Sequence, residues 1–144
     1  NNRIVTEFLW PVRVYYEDTD AGGVVYYANY LKFMERARTE LLRSYGFEQD
    51  ELIRSEGVLF AVRSLSAEYL QPARFNDLLQ VSVCVAQQRK ASFVFSQAVT
   101  RATDDGQPGE MLCTAQVQVA CLDAERLRPR PIPQQILTEI SRER

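Results

Sequence analysis

Between Tyr27 and Tyr45, the residues Tyr27, Tyr30, Met34, Ala37, Leu41 and Tyr45 recur every three or four positions. That spacing marks one face of a long α-helix. Lys32, Glu35, Arg36, Thr39, Glu40 and Arg43 fall on the other side, so an amphipathic helix is expected over about Val25–Tyr45, with Gly46 as its stop. A short second helix is predicted over Glu48–Ser55, ending at Gly57. The pattern that follows is one of strands. Val58–Leu70 reads as a long extended segment closed by Pro72, and Leu79, Val81, Val83 and Val85 alternate with polar or small neighbours. Phe93, Phe95 and Val99 share one side of the next strand, and Asp104–Gly109 carries a hairpin signal. Met111, Cys113, Ala115, Val117, Val119 and Cys121 then give an apolar face, before the extended Arg128–Pro133 and a short terminal helix.

With a first strand over Trp10–Tyr16, the order is strand, helix, short helix, then four strands. Strands and helices do not alternate as a parallel sheet would require, so the class is α+β with one antiparallel sheet covering one helix. A lone helix covers only one face of such a sheet. Leu31, Phe33 and Leu42 lie outside the core stripe of the helix, which predicts surface left over for a partner subunit.

At 144 residues the chain is expected to form a single domain, 1–144, with 46% hydrophobic and 25% charged residues as in ordinary globular proteins. The formal net charge of −2 argues against nucleic acid as a partner. Cys84, Cys113 and Cys121 lack the spacing of a zinc site, and in strand-like apolar surroundings they read as reduced core thiols. Asn1–Glu7 has no secretory apolar run, and runs such as Val58–Val62 are far shorter than the roughly 20 residues of a membrane span. A cytoplasmic protein that does not span the membrane is the expectation. There is no histidine in the chain, which removes imidazole-dependent nucleophile systems and any His–acid pair.

The chemistry concentrates between Tyr15 and Tyr30. Asp18, Thr19 and Asp20 precede the long helix, and such residues most often cap a helix start. Gly22-Gly23 and Val24-Val25 follow. Two glycines without side chains let a ligand approach backbone N–H groups, and the helix start supplies partial positive charge. A carbonyl oxygen held there is stabilised as it becomes an oxyanion. Asp20 is then the candidate carboxylate, able to attack the carbonyl or to activate water.

Glu17-Asp18-Thr19-Asp20, Ala21-Gly22-Gly23-Val24-Val25-Tyr26 and Asn29-Tyr30 resemble the signature of hotdog-fold acyl-CoA thioesterases of the 4-hydroxybenzoyl-CoA thioesterase type. The likeness is nearest to the bacterial branch associated with the Tol–Pal system. It extends through Phe33–Glu40, Glu68-Tyr69, Pro72-Ala73-Arg74, Asp77 and Arg89–Phe93, and so covers nearly all of Trp10–Pro133. The resemblance implies a five-stranded antiparallel sheet wrapped around one long central helix, and hydrolysis of an acyl-CoA without cofactor or metal. It also implies a homodimer or homotetramer with the site at the subunit interface, and acyl carrier protein as a possible partner. Asp20 matches the catalytic carboxylate. The backbone N–H of Tyr27 matches the oxyanion donor, and Leu59 or Phe60 falls nearest the second donor. Relatives commonly carry His where this chain has Tyr27, but the 4-hydroxybenzoyl-CoA branch is aromatic there and the implied role is a main-chain one. Gly22 and Gly23 are expected to border the substrate.

Arg89 and Lys90 are candidates for binding the phosphates of coenzyme A, set against a reading as a solvated turn. Arg126, Arg128 and Arg130 read more simply as a solvated tail. Asp18-Thr19-Asp20 also suits an aspartyl phosphatase, but such enzymes need a parallel scaffold that the second half of this chain does not encode. A non-catalytic acyl-CoA or acyl-carrier binder of the same fold is the alternative function.

Overall fold

The computed structural model describes residues 7–142. The reading of Asn1–Thr6 as free of a leader, and both extremes of the 1–144 span, lie outside the described residues. Strand β1 (Phe8–Arg13) leads through a 3-10 turn at Tyr16–Asp18 into helix α1 (Tyr27–Ser44) and helix α2 (Gln49–Glu56). Four strands follow, β2 (Val58–Tyr69), β3 (Leu78–Gln88), β4 (Ser92–Ala102) and β5 (Pro108–Asp123), and then helix α3 (Gln134–Arg142).

The strands form one sheet in the order β1-β3-β4-β5-β2, with every neighbouring pair antiparallel. Alternation decides which face is covered: Val81, Val83, Phe93, Phe95, Val117, Val119 and Cys121 are all buried. Helix α1 lies against β1, β3 and β4 and buries Tyr30, Phe33, Met34, Ala37, Leu41 and Leu42. Gln97 of β4, 2% exposed, ties sheet to helix by donating from Nε2 to the Met34 carbonyl at 3.1 Å.

Several expectations shift in detail. The first strand begins at Phe8 and stops at Arg13, because Tyr16–Asp18 closes into a turn held by the Asp18 side chain. Phe33 and Leu42 leave no partner surface; they are 1% and 8% exposed, covered within the chain. Met111 drops off the apolar face at 42% exposure while Leu112 is fully buried, because the β4–β5 register shifts between Val99 and Thr100. Strand β2 lies at one edge of the sheet, paired only with β5, and bulges at Arg63 where the register steps from Val62 to Ser64.

Candidate active site

The turn before α1 is built by hydrogen bonds local in sequence. Asp18 Oδ2 accepts the Tyr15 N–H at 2.8 Å, and the Thr19 hydroxyl donates to the Tyr16 carbonyl at 2.7 Å. Both residues are thus used in the 3-10 turn and neither caps α1. Next, Asp20 N–H donates to the Val24 carbonyl at 2.9 Å and Gly23 N–H to the Asp20 carbonyl at 3.0 Å, closing a tight loop. Gly23 sits at φ +80°, a conformation that L side chains rarely adopt. Asp20 Oδ1 accepts the Gly22 N–H at 2.8 Å, and a Cβ added to Gly22 would stand 3.3 Å from that oxygen. The glycine pair therefore fixes the carboxylate as well as the backbone. Asp20 Oδ2 carries no hydrogen bond among the described residues.

Helix α1 starts without a side-chain cap: its N-cap is Tyr26. The Asn29 N–H turns back to the Tyr26 carbonyl at 2.8 Å, and Asn29 Nδ2 donates to the Asp18 carbonyl at 2.9 Å, joining helix to turn. Among the described residues no acceptor meets the N–H of Tyr27 or of Ala28. A carboxylate and two open donors at the positive end of a helix thus stand a few residues apart.

A second layer braces this turn. Val25 N–H donates to the Ala73 carbonyl at 2.8 Å, and the Ala73 N–H is received by the buried Tyr30 hydroxyl at 2.9 Å. Burial holds the Tyr30 phenol above its ordinary pKa, partly offset by that hydrogen bond, so it stays neutral. Arg101 locks the 72–77 loop behind it, donating to the Pro72 carbonyl at 2.8 Å, pairing with Asp77 at 3.1 Å and pairing also with Glu110. Sequence reasoning misses Tyr30 and Arg101 as parts of the site. Helical spacing places Tyr30 only in the core stripe, and no local pattern links Arg101 to a loop 24 or more residues upstream.

The surroundings of Asp20 are open. Asp20 itself is exposed in the single chain, and Tyr15, Tyr16, Tyr26, Tyr27, Tyr69 and Phe75 are 44–79% exposed nearby in sequence or in ring contact. The Tyr27 ring meets Tyr69 edge-on at 5.8 Å and Tyr26 at 4.8 Å. A hydrogen bond with the Tyr27 side chain holds the Tyr26 phenol above its ordinary pKa.

Arg89 and Lys90 are not brought to Asp20 within one chain. They occupy the β3–β4 turn, where Arg89 N–H donates to the Ser92 carbonyl at 2.9 Å. Leu78, at the other end of β3, is the residue paired with Arg13 just before the Asp20 turn. The length of β3 separates them, roughly 35 Å at the usual strand rise. Arg89 and Lys90 instead lie at the Phe60–Cys121 end of the sheet, where Cys121 N–H donates to the Ala91 carbonyl at 2.8 Å. Arg130 is used there structurally, bonding the Gly57 carbonyl at 3.0 Å and Asp123 at 3.2 Å. The same end holds a cavity of about 110 Å³ between α1, α2 and the sheet, walled by Leu42, Phe60, Phe93 and Phe95 with Arg38 and Gln49 at its polar side. Among the described residues no group of three His, Cys, Asp or Glu could hold a metal ion, and no helix is long and apolar enough to cross a membrane.

A five-stranded antiparallel sheet curled over one long helix, with an acid-bearing turn at the helix start, is the hotdog fold of thioester hydrolases. Residues 14–140 match the family described as the thioesterase-like superfamily, and the chain belongs to it. The chain is 46% identical over 134 residues to the acyl-CoA thioester hydrolase YbgC of Escherichia coli O6:H1, covering 93% of this chain and 96% of that protein. Among solved structures, a probable thioesterase from Bartonella henselae matches at TM-score 0.82 and 34% identity, over 89% of this chain and 100% of that one. The 4-hydroxybenzoyl-CoA thioesterase of Pseudomonas sp. strain CBS-3 shares the fold at TM-score 0.82 with 23% identity, over 92% of this chain and 98% of that one.

Proposed function

We propose that the protein hydrolyses acyl-CoA thioesters to a free acid and coenzyme A, with Asp20 as the reacting carboxylate, at a site completed by a second copy of the chain. The observation that carries this reading is the juxtaposition of the Asp20 carboxylate with the uncapped start of α1, where the Tyr27 N–H lacks an acceptor among the described residues. The thioester oxygen would take that donor, and negative charge growing on it would be stabilised by the donor and the helix end. Asp20 then either attacks the carbonyl carbon or takes a proton from an attacking water. In the first course the C–S bond breaks as a mixed anhydride forms, and water cleaves the anhydride. In the second, water adds directly. In both, the coenzyme A thiolate leaves and is protonated.

The separation of Asp20 from Arg89, Lys90 and the cavity supports the shared site. Two β2 strands set antiparallel about their middles would bring the Tyr69–Tyr27 end of one copy to the Phe60 end of the other. The unpaired β2 edge and the exposed aromatics around Asp20 suit such burial. Arg89 and Lys90 would then face coenzyme A phosphates beside the partner's carboxylate, and the main-chain N–H of Leu59 or Phe60 becomes available as the second donor. Reduced thiols agree with a cytoplasmic setting: Cys113 and Cys121 are buried and free, each pushed up to about 11 by burial.

The test is Asp20→Asn. Turnover should fall at least about 100-fold while acyl-CoA binding persists, as expected for loss of a general base or nucleophile. Turnover like that of the unmodified protein would reject the assignment. A protein that binds acyl-CoA and releases no coenzyme A would be a binder instead. Single-turnover reaction in heavy-oxygen water separates the two courses, since only attack by Asp20 leaves label in its carboxylate.

A further inference from the structure

We propose that Arg38 makes the cavity between α1 and the sheet selective for short acyl groups ending in a carboxylate, the half-thioesters of small dicarboxylic acids. This rests on the shared-site reading above, in which that cavity receives the acyl group. Arg38 Nη1 donates to Gln97 Oε1 at 2.9 Å. Gln97 cannot turn away to make other bonds, because its Nε2 is committed to the Met34 and Ser82 carbonyls at 3.1 and 3.4 Å. The amide oxygen is therefore held facing Arg38 and draws the guanidinium in over the cavity floor. The walls there are Phe60, Phe93, Phe95 and Val119.

A guanidinium has five N–H donors and stays charged in proteins. Only the bond from Nη1 to Gln97 is made; Nε and Nη2 face no acceptor among the described residues. No carboxylate lies within ion-pair distance of Arg38 among the described residues, although seven other arginine–acid contacts among them involve Arg43, Arg54, Arg101 and Arg130. Glu35, which also borders the cavity, is exposed and accepts the Thr39 hydroxyl at 2.9 Å. Desolvation depresses the Arg38 pKa, and the charge of Glu35, which is outside ion-pair distance, offsets this only in part. Such a group is costly to leave unpaired, and the free donor pair presents the fork that a carboxylate matches. Size limits the remainder of the ligand. The cavity of about 110 Å³ is smaller than the roughly 150 Å³ cavity that admits benzene, so an acyl chain of a few carbons fits and a long one does not.

A purely structural Arg38, pinning α1 to β4 through Gln97, would affect all substrates alike. The discriminating readout is therefore a ratio of kcat/KM values for glutaryl-CoA and 5-methylhexanoyl-CoA, in which an isopropyl group replaces the carboxylate, each corrected for uncatalysed hydrolysis. The unmodified protein should favour glutaryl-CoA by at least about tenfold, and Arg38→Met should erase that preference, the scale of one charge-assisted hydrogen-bonded pair. Arg38→Lys, which keeps charge without the fork, should give an intermediate ratio and decides the matter if the Met variant fails to fold. Preference for the branched apolar thioester in the unmodified protein, or equal losses on both substrates in the variants, overturns the proposal. If neither is turned over while butyryl- or benzoyl-CoA is, this inference alone falls. If no thioester is hydrolysed, the thioesterase reading falls with it.

Discussion

Tyr27 shows how a residue can matter through its main chain. It is the first residue of α1, and its exposed side chain touches only its tyrosine neighbours Tyr26 and Tyr69 among the ring contacts of the described residues. Proline is well tolerated at a first helical position, and Tyr26 already has the extended backbone, φ −62° and ψ 131°, that a residue before proline requires. Tyr27→Pro should therefore keep the helix while deleting one N–H. The expected outcome is a fall in kcat of about 100-fold or more with circular dichroism unchanged, the usual loss when one oxyanion donor is removed. Retained turnover would move the donor elsewhere. At this scale the sequence was informative where chemistry is local: Asp20, Gly22 and Gly23 form one turn because they are neighbours in the chain. It was less so for Asp18, whose residue type suits a cap but whose side chain is taken by the Tyr15 N–H before α1 begins.

The elements around that turn are held by one long-range chain of hydrogen bonds, from Val25 through Ala73 to Tyr30. Tyr30→Phe would leave the buried Ala73 N–H without its acceptor. The expected penalty is about 1–3 kcal/mol in unfolding free energy by denaturant titration. Because Ala73 also positions Val25, kcat should fall more than the binding of a thioether analogue weakens. Equal stability in the variant would show that the phenol is dispensable. Periodicity made the helix and strand sequence of the fold legible, since each depends on spacing within a single segment. It could not reveal Arg101 reaching the 72–77 loop, or the shift that exposes Met111 and buries Leu112, because both depend on which residues the sheet sets side by side.

For the whole molecule, the free β2 edge and the division of site residues between the two ends of the sheet favour assembly. Leu65→Pro should block pairing of two β2 edges, because Leu70, Glu68, Ser66 and Ser64 turn their N–H groups to β5 and Leu65 faces the open side. Sedimentation should then find a smaller species, and its turnover should be lost together with assembly. An active monomer would contradict the shared site. The core has its own pH limit. The Cys113 and Cys121 thiols rise from 9.0 to about 11 on folding, so their contribution is fully present below about pH 9 and is lost as pH climbs through 11. Thermal melts across that range should show a decline that Cys113→Ala and Cys121→Ala reduce. A partner subunit was inferable from the sequence only as leftover apolar surface on the helix, of which Phe33 and Leu42 proved to be internal while Leu31 stays partly exposed. The surface proposed for association instead lies along β2 and around the tyrosines, where no single-segment period would disclose it.

A helix that begins on bare amides is an unfinished structure. Whatever oxygen settles against the first turn of α1 supplies the missing terminus, so occupancy and local order become one event. On the proposed reading, emptying the site would loosen that turn, and departure of the product would be written into the same few atoms that welcome the substrate.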